Sequence, residues 1–426
     1  MKMKNRETEK HIYVYADWDK LNGPELMGIL NVSITRGKEV FSFEYDKDWL
    51  QSAPAQLLDP DLGFYSGPQF LSEGKSNFGL FLDSSPDRWG RLLMKRREAA
   101  NARKEERPVN TLYESDYLLG VFDGHRMGAL RFKLDPNGEF LDNDQIHATP
   151  PWTRLRDLEY ASSIIEDEGD FEDPEYLEWL RLLIVPGSSL GGARPKASVV
   201  DPDRKLWIAK FPGNMDQIDV GAWEMLVHEL ARRSGIRVPE SRIEKLSGKF
   251  HTYLSKRFDR VSGSRIHFAS ALTMLGYSDG TGFSEGASYL ELAEFLMQSG
   301  ANVAGDLEEL WKRIVFNICV SNTDDHLRNH GFILTQTGWI LSPAYDMNPE
   351  NKTSGLSINI SEDDNSLDLD LAREVAEYFR VNAENSNQII SQITSVVKEW
   401  RPVANSFGVS RSEQDMMSGA FMHANI

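Results

Sequence analysis

The chain has 426 residues, 40% hydrophobic and 10% aromatic, enough for two or three packed domains and too apolar for an intrinsically disordered protein. Its 47 Lys and Arg against 65 Asp and Glu leave a net charge of −18, which disfavours a dedicated nucleic-acid binder, whose phosphate contacts need a positive surface. Cys319 is the single cysteine, so no internal disulfide forms, and no apolar run is long enough to cross a bilayer. The N-terminal MKMKNRETEKH has basic residues but no apolar segment behind them, so no secretory signal is expected and the expected location is cytoplasmic.

HIYVYADW (11–18) and VSITRGKEVFSFEY (32–45) alternate apolar and polar positions, the period of strands. Residues 85–105 predict a helix with Ser85 as N-cap and Pro86 in its first turn. The basic residues between Arg91 and Arg107 read as a solvated face of that helix. YLLGVFDGHRMGALRFK (117–133) predicts a hairpin or strand pair turning at Asp123-Gly124. These elements make an α+β domain ending near residue 145. A polar connection follows at 134–150, then an acidic helical stretch at 154–185.

The chemistry begins in PGSSLGGARPKASVV (186–200), a glycine-rich turn ahead of a β-branched strand. Glycines let backbone N–H groups approach a phosphate closely, which makes Gly191, Gly192 and Ala193 candidates for nucleotide binding. The turn is not a Walker A loop, because Ala193 and Arg194 stand where Lys and Ser/Thr would be required. LWIAKFP (206–212) is a strand that ends on Lys210, a lysine among apolar neighbours. In GAWEMLVHELARRSGI (221–236), Trp223, Leu226, Val227, Leu230 and Ala231 form a helical stripe, with Glu224 beside it. Glu224 either complements the helix dipole or holds Lys210, as a strand lysine and a helix glutamate pair in protein kinases.

SNTDDHLRNHGFIL (321–334) follows an apolar-faced helix running from Glu308 to Val320. Asp324 and Asn329 have the spacing of a kinase catalytic loop, where the aspartate takes the substrate hydroxyl proton and the asparagine holds Mg²⁺. Asp346, in SPAYDMNP (342–349), stands where a second metal-holding carboxylate is needed.

The sequence is similar to the HipA family of toxin kinases. SSLGGARPK (188–196), the strand ending at Lys210, SKRFDR (255–260), NTDDHLRNHGF (322–332) and AYDMNP (344–349) carry the resemblance. SPDRWGR (85–91) and DYLLGVFDGHRMGALRF (116–132) extend it into the N-terminal part. The resemblance implies an α+β, two-lobed protein-kinase-like fold, related to lipid-kinase-like folds, behind a small N-terminal α+β accessory domain. The expected divisions are 1–145 for the accessory domain and the start of the N-lobe, 146–260 for the N-lobe with the glycine-rich loop and the ATP lysine, and 261–426 for a mostly helical C-lobe. It also implies a serine/threonine protein kinase using ATP and Mg²⁺, with Lys210 on the nucleotide phosphates, Asp324 as base, and Asn329 and Asp346 on the metal. Backbone groups of Lys256 and Phe258, in the segment joining the lobes, would meet adenine.

Ser189 matches the family's autophosphorylated serine, which inactivates the kinase by expelling the phosphate loop. The implied partners are a small helix-turn-helix antitoxin of HipB type, through which alone DNA is reached, and a protein substrate such as glutamate-tRNA ligase or another aminoacyl-tRNA synthetase; no membrane is implied. Two departures stand out. Residues 213–220 are short where relatives often carry a substrate-docking loop, and Asp325 replaces a small residue, adding charge near the metals. The competing readings are a metal-dependent phosphodiesterase using Asp324, Asp325, His326, His330 and Asp346, and a catalytically idle co-repressor. His326 itself is expected to orient the loop by hydrogen bonding.

Overall fold

The structure, a computed structural model, describes residues 9–19, 21–53, 56–141, 149–167, 176–183, 194–351 and 355–425. They form two compact units. The first comprises the described residues within Met1–Pro150, Phe171–Ala193 and Asp259–Ala269, and the second those within Pro151–Asp170, Arg194–Phe258 and Ser270–Ile426.

The first unit is built on a five-stranded antiparallel sheet in the order β4-β3-β2-β1-β5. Its strands are β1 (Glu9–Ala16), β2 (Glu25–Thr35), β3 (Lys38–Tyr45), β4 (Gln69–Phe70) and β5 (Leu130–Lys133). The alternation read in the sequence places Ile12, Val14 and Ala16 of β1, Leu30 and Val32 of β2, and Phe41 and Phe43 of β3 in the core. β2 and β3 form a hairpin whose turn residues, Arg36 and Gly37, both take positive φ (52° and 79°).

Two expectations need correction here. The helix is Arg88–Lys104, and its N-cap is Asp87, whose carboxylate accepts from Gly90 N at 2.8 Å; Ser85 instead donates its hydroxyl to Phe81 O. Nor is 117–133 a hairpin. Glu114–Leu119 is a helix in which Asp116 accepts from Tyr113 N, and only Leu130–Lys133 is a strand, pairing with β1. Asp123 is taken up by Arg131 and Arg265 instead of closing a two-residue turn.

The second unit holds a four-stranded antiparallel sheet, β6-β7-β9-β8, made of β6 (Lys196–Val200), β7 (Leu206–Lys210), β8 (Ser241–Glu244) and β9 (Thr252–Lys256). The helix Val220–Arg233 packs against it, with Trp223, Leu226, Val227, Leu230 and Ala231 buried. The remainder is mostly helical and is centred on Val303–Val320. Leu310, Trp311, Ile314, Val315 and Ile318 of that helix are fully buried, each side chain contributing about 1.5–3 kcal/mol. Phe316, Cys319 and Val320 on its other sides are equally buried, so this is a central helix and not an amphipathic surface helix. A small sheet and a helical body thus give the α+β, two-lobed kinase-like architecture. Among the described residues no helix is long and apolar enough to cross a membrane.

Candidate active site

β7 ends on Lys210, 7% exposed, and the helix Val220–Arg233 brings Glu224 to it. That approach depends on Gly221. A Cβ at Gly221 would stand 2.2 Å from His251 O, so only glycine lets the first turn of the helix press on the chain entering β9. Asp219 fixes the same junction, accepting from Ala222 N (3.2 Å) and His251 N (3.0 Å). One turn later, Glu224 Oε1 accepts from Lys210 Nζ at 2.6 Å. The same ammonium also donates to Asp346 Oδ1. Lys210, Glu224 and Asp346, up to 136 positions apart, therefore meet at one nitrogen.

The electrostatics follow from burial and charge together. Burial works against the Lys210 ammonium, but Asp346 and Glu224 more than offset it and hold its pKa above the ordinary lysine value. Burial likewise pushes Asp346 up, and Lys210 and Lys196 outweigh it, leaving Asp346 below the usual carboxylate range. Glu224 is pushed upward by burial despite Lys210. Lys196, 1% exposed, lies opposite Lys210 in the β6–β7 register, so a second cation shares this end of the sheet. Arg194, just ahead of β6, is held bidentately by Asp216 of the short 213–220 segment (Nη1 to Oδ1 3.2 Å).

The SNTDDHLRNHGFIL sequence turns out of the Val303–Val320 helix through Ser321, in left-handed conformation (φ 50°). Asp324 is exposed, and its carbonyl accepts from His326 N (2.9 Å) and Asn329 Nδ2 (2.9 Å). The Asn329 side chain thereby ties the two ends of the loop. Asp346 also has positive φ (57°), uncommon for a non-glycine residue, and neighbouring hydrogen bonds hold its segment. Tyr345 donates to Arg328 O at 2.8 Å, Asn348 N to Asn322 Oδ1 at 3.1 Å, and Glu350 N to Ser321 O at 2.9 Å. Phe258 packs on Tyr345 with ring centroids 5.7 Å apart. Lys256 gives its N–H to Glu240 O (2.9 Å), so an adenine contact at that residue falls to its carbonyl.

Two readings of the loop change. Asp325 adds no charge at the mouth of the site: it is 3% exposed and accepts, at Oδ2, from Asn317 Nδ2 (2.8 Å), His330 Nε2 (2.8 Å) and the Tyr289 hydroxyl. Burial would raise its pKa, and these partners bring it below the ordinary value. His326 orients the loop through its backbone, donating from N to Asp324 O and accepting at O from Asn329 N; its Nδ1 has no partner among the described residues. With His330 turned onto Asp325, the His326/His330 zinc pair is broken up. Among the described residues no group of three or more His, Cys, Asp or Glu side chains is placed to hold a metal. Ser189, Gly191, Gly192 and Ala193 lie outside the described residues.

The oxygens present do fit magnesium of the kind that completes its shell with phosphate and water. Among the described residues, Asn329 Oδ1 and Asp346 Oδ2 accept no hydrogen bond, leaving one hard oxygen donor on each side chain.

Residues 188–400, half of the chain, match the family of HipA-like C-terminal domains. The serine/threonine-protein kinase toxin HipA of Shewanella oneidensis is 24% identical over 399 residues, covering 86% of this chain and 80% of that protein. The putative kinase Y4dM of Sinorhizobium fredii is 27% identical over 224 residues, and the alignment spans about half of each protein (46% and 54%). Among solved structures, Shewanella oneidensis HipA in complex with HipB and operator DNA superposes with a TM-score of 0.63 at 19% identity, over 97% of this chain and 95% of that one.

Proposed function

The chain belongs to the HipA family, and from that premise we propose that it is an ATP- and Mg²⁺-dependent serine/threonine protein kinase, the toxin of a HipBA-like toxin–antitoxin module. The observation that carries the reading is the meeting of Lys210 with Glu224 and Asp346, beside a loop in which Asn329 is tied to Asp324. A buried lysine held between two carboxylates is a preorganised cation for nucleotide phosphates, since its position costs no reorganisation when the ligand arrives.

In this reading Lys210 binds the phosphates, and Glu224 keeps its ammonium in place. Asn329 Oδ1 and Asp346 Oδ2 would hold Mg²⁺, which supplies charge neutralisation on the phosphate oxygens. Asp324, exposed at the surface of the loop, accepts the proton of the substrate hydroxyl. The glycine-rich turn with Gly191, Gly192 and Ala193 covers the phosphates, and backbone groups of Lys256 and Phe258 meet adenine. Ser189 is the site of inactivating autophosphorylation. The protein partner is a HipB-type antitoxin, a reading supported by the HipB-bound relative, and the substrate is a translation component such as an aminoacyl-tRNA synthetase.

The test is incubation with labelled ATP–Mg²⁺, alone and with a cell lysate, beside an Asp324→Asn control. The expected outcome is labelled protein with the parent chain, and a loss of about 10²–10⁴-fold with Asp324→Asn at unchanged ATP affinity. Parent-level turnover by Asp324→Asn refutes the assignment of the base.

A further inference from the structure

Asp324 and Asp325 are adjacent carboxylates with opposite fates: the first is exposed, the second 3% exposed. Burying a carboxylate is costly unless donors replace its water, so an acid turned inward next to a proposed base calls for an explanation. Its donors come from three separate elements. Tyr289 opens the helix Tyr289–Ser299, Asn317 lies in the central helix Val303–Val320, and His330 directly precedes the strand Gly331–Thr335. All three converge on the single oxygen Oδ2.

The network continues beyond Asp325. Asn317 Nδ2 also reaches the Tyr289 hydroxyl at 3.2 Å, and Asn317 Oδ1 accepts from Asn322 Nδ2 at 3.1 Å. Asn322 Oδ1 in turn accepts from Asn348 N, two residues beyond Asp346. A chain of buried polar groups therefore runs from beneath Asp324 to the segment that carries Asp346. Its one carboxylate is Asp325, and hydrogen bonds to an ionised group are the strong ones in such a network.

We propose that Asp325 is the positioning residue of this catalytic loop: its carboxylate, gripped by Tyr289, Asn317 and His330, sets where Asp324 stands and keeps it in register with Asp346. The chain alternates direction at these two residues, so fixing Asp325 inward leaves Asp324 outward. The inference rests on Asp324 being the base. A purely structural role for Asp325 would lower stability and leave turnover per folded molecule intact, whereas a positioning role lowers kcat while nucleotide binding persists.

The experiment uses the full chain with ATP–Mg²⁺ and a phosphorylatable substrate protein from the lysate assay. Tyr289→Phe removes one donor and keeps the ring, and Asp325→Asn keeps the shape and removes the charge. Expected are kcat losses of about tenfold for Tyr289→Phe and about 10²-fold for Asp325→Asn, as for a small displacement of a catalytic group, with ATP affinity by calorimetry unchanged. If Asp325 acts through Asp324, adding Asp325→Asn to Asp324→Asn costs nothing further in the residual rate. Unchanged kcat in both single variants overturns the inference while Asp324→Asn remains inactive, and so does a full additional loss in the double variant. Should Asp325→Asn not fold, Tyr289→Phe decides on the same readout. Parent-level turnover by Asp324→Asn removes the base itself, and the inference with it.

Discussion

Replacing Lys210 by methionine tests the charge arrangement directly. The side chain is 7% exposed, and its nitrogen is the meeting point of Glu224, 3% exposed, and Asp346. Methionine fills similar space but leaves the buried Glu224 and the partly buried Asp346 carboxylates without the ammonium they share. Breaking a buried pair from one side costs about 3–5 kcal/mol. At about 2–4 °C per kcal/mol for a unit of this size, the loss at pH 7 is on the order of 10 °C in Tm. The sign of the pH dependence is more diagnostic than its size. In the parent chain Asp346 sits below its unfolded pKa, so it contributes stability above the ordinary carboxylate range that is lost as pH falls through its folded value. In Lys210→Met, burial and mutual repulsion raise both carboxylates. The native state then binds more protons than the unfolded chain, and stability falls as pH rises from about 4 towards neutrality. Thermal melts of the two proteins from pH 4 to 8, with phosphoryl transfer measured in parallel, give the readout. The expected variant is inactive and gains on the parent in acid. Melting curves with parallel pH dependence would refute the reasoning, because Lys210 would then not be neutralising these acids.

Three further outcomes are expected. Magnesium alone should bind weakly, at millimolar levels or weaker, and tighten when ATP is present, because only two candidate protein oxygens are on offer among the described residues; calorimetry with and without nucleotide checks this, and tight metal binding to the nucleotide-free protein contradicts it. His267 is fully buried, stacked on Trp18 with centroids 5.1 Å apart, and burial lowers its pKa to about 3. Folding therefore loses about 1.4 kcal/mol per pH unit from this group as pH falls below about 6.5, and His267→Phe should flatten the acid limb of the melting profile of the first unit. Mass spectrometry of the expressed chain should find phosphate on Ser189, absent from Asp324→Asn protein; an intact enzyme unmodified there argues against the switch.

The sequence made some levels legible and not others. Strand alternation in β1 to β3 and the helical stripe from Trp223 to Ala231 are local patterns, and local geometry honours them. The Lys210–Glu224 pair was legible because 14 positions separate its members and strand-then-helix order is itself informative. The cap at Asp87 was ambiguous, since Ser85 and Asp87 have similar capping chemistry and only the helix axis chooses between them. The turn expected at Asp123-Gly124 failed for a different reason. Asp123 is claimed by Arg265, 142 positions away, and no local rule weighs so distant a partner. Lys196 went unassigned to the site because its register against Lys210 exists only once β6 and β7 pair. The direction of Asp325 was equally hidden, its partner Tyr289 lying 36 positions upstream.

An acidic chain with a net charge of −18 has to concentrate positive charge locally if it is to draw in a polyphosphate. The described site does so with Lys210, Lys196 and Arg194 at one end of a small sheet, and it steadies two of these cations with named carboxylates. In the proposed reading, the pairing would serve the empty state as well as the loaded one. A bare cluster of cations would repel itself and destabilise the sheet, whereas cations leaning on Glu224, Asp346 and Asp216 are neutralised until phosphate oxygens arrive. Among the described residues Asp346, unlike Asp216, has an oxygen that accepts no hydrogen bond. With Oδ1 on Lys210 and Oδ2 without a hydrogen-bond partner among the described residues, one side chain could keep the lysine and, in the proposed reading, serve a metal together, which would make the lysine and the metal a single electrostatic unit. The positive φ of Asp346 is then accounted for by position. The segment is stitched to the 321–330 loop at Tyr345, Asn348 and Glu350, and a left-handed residue between those stitches turns the carboxylate back towards Lys210.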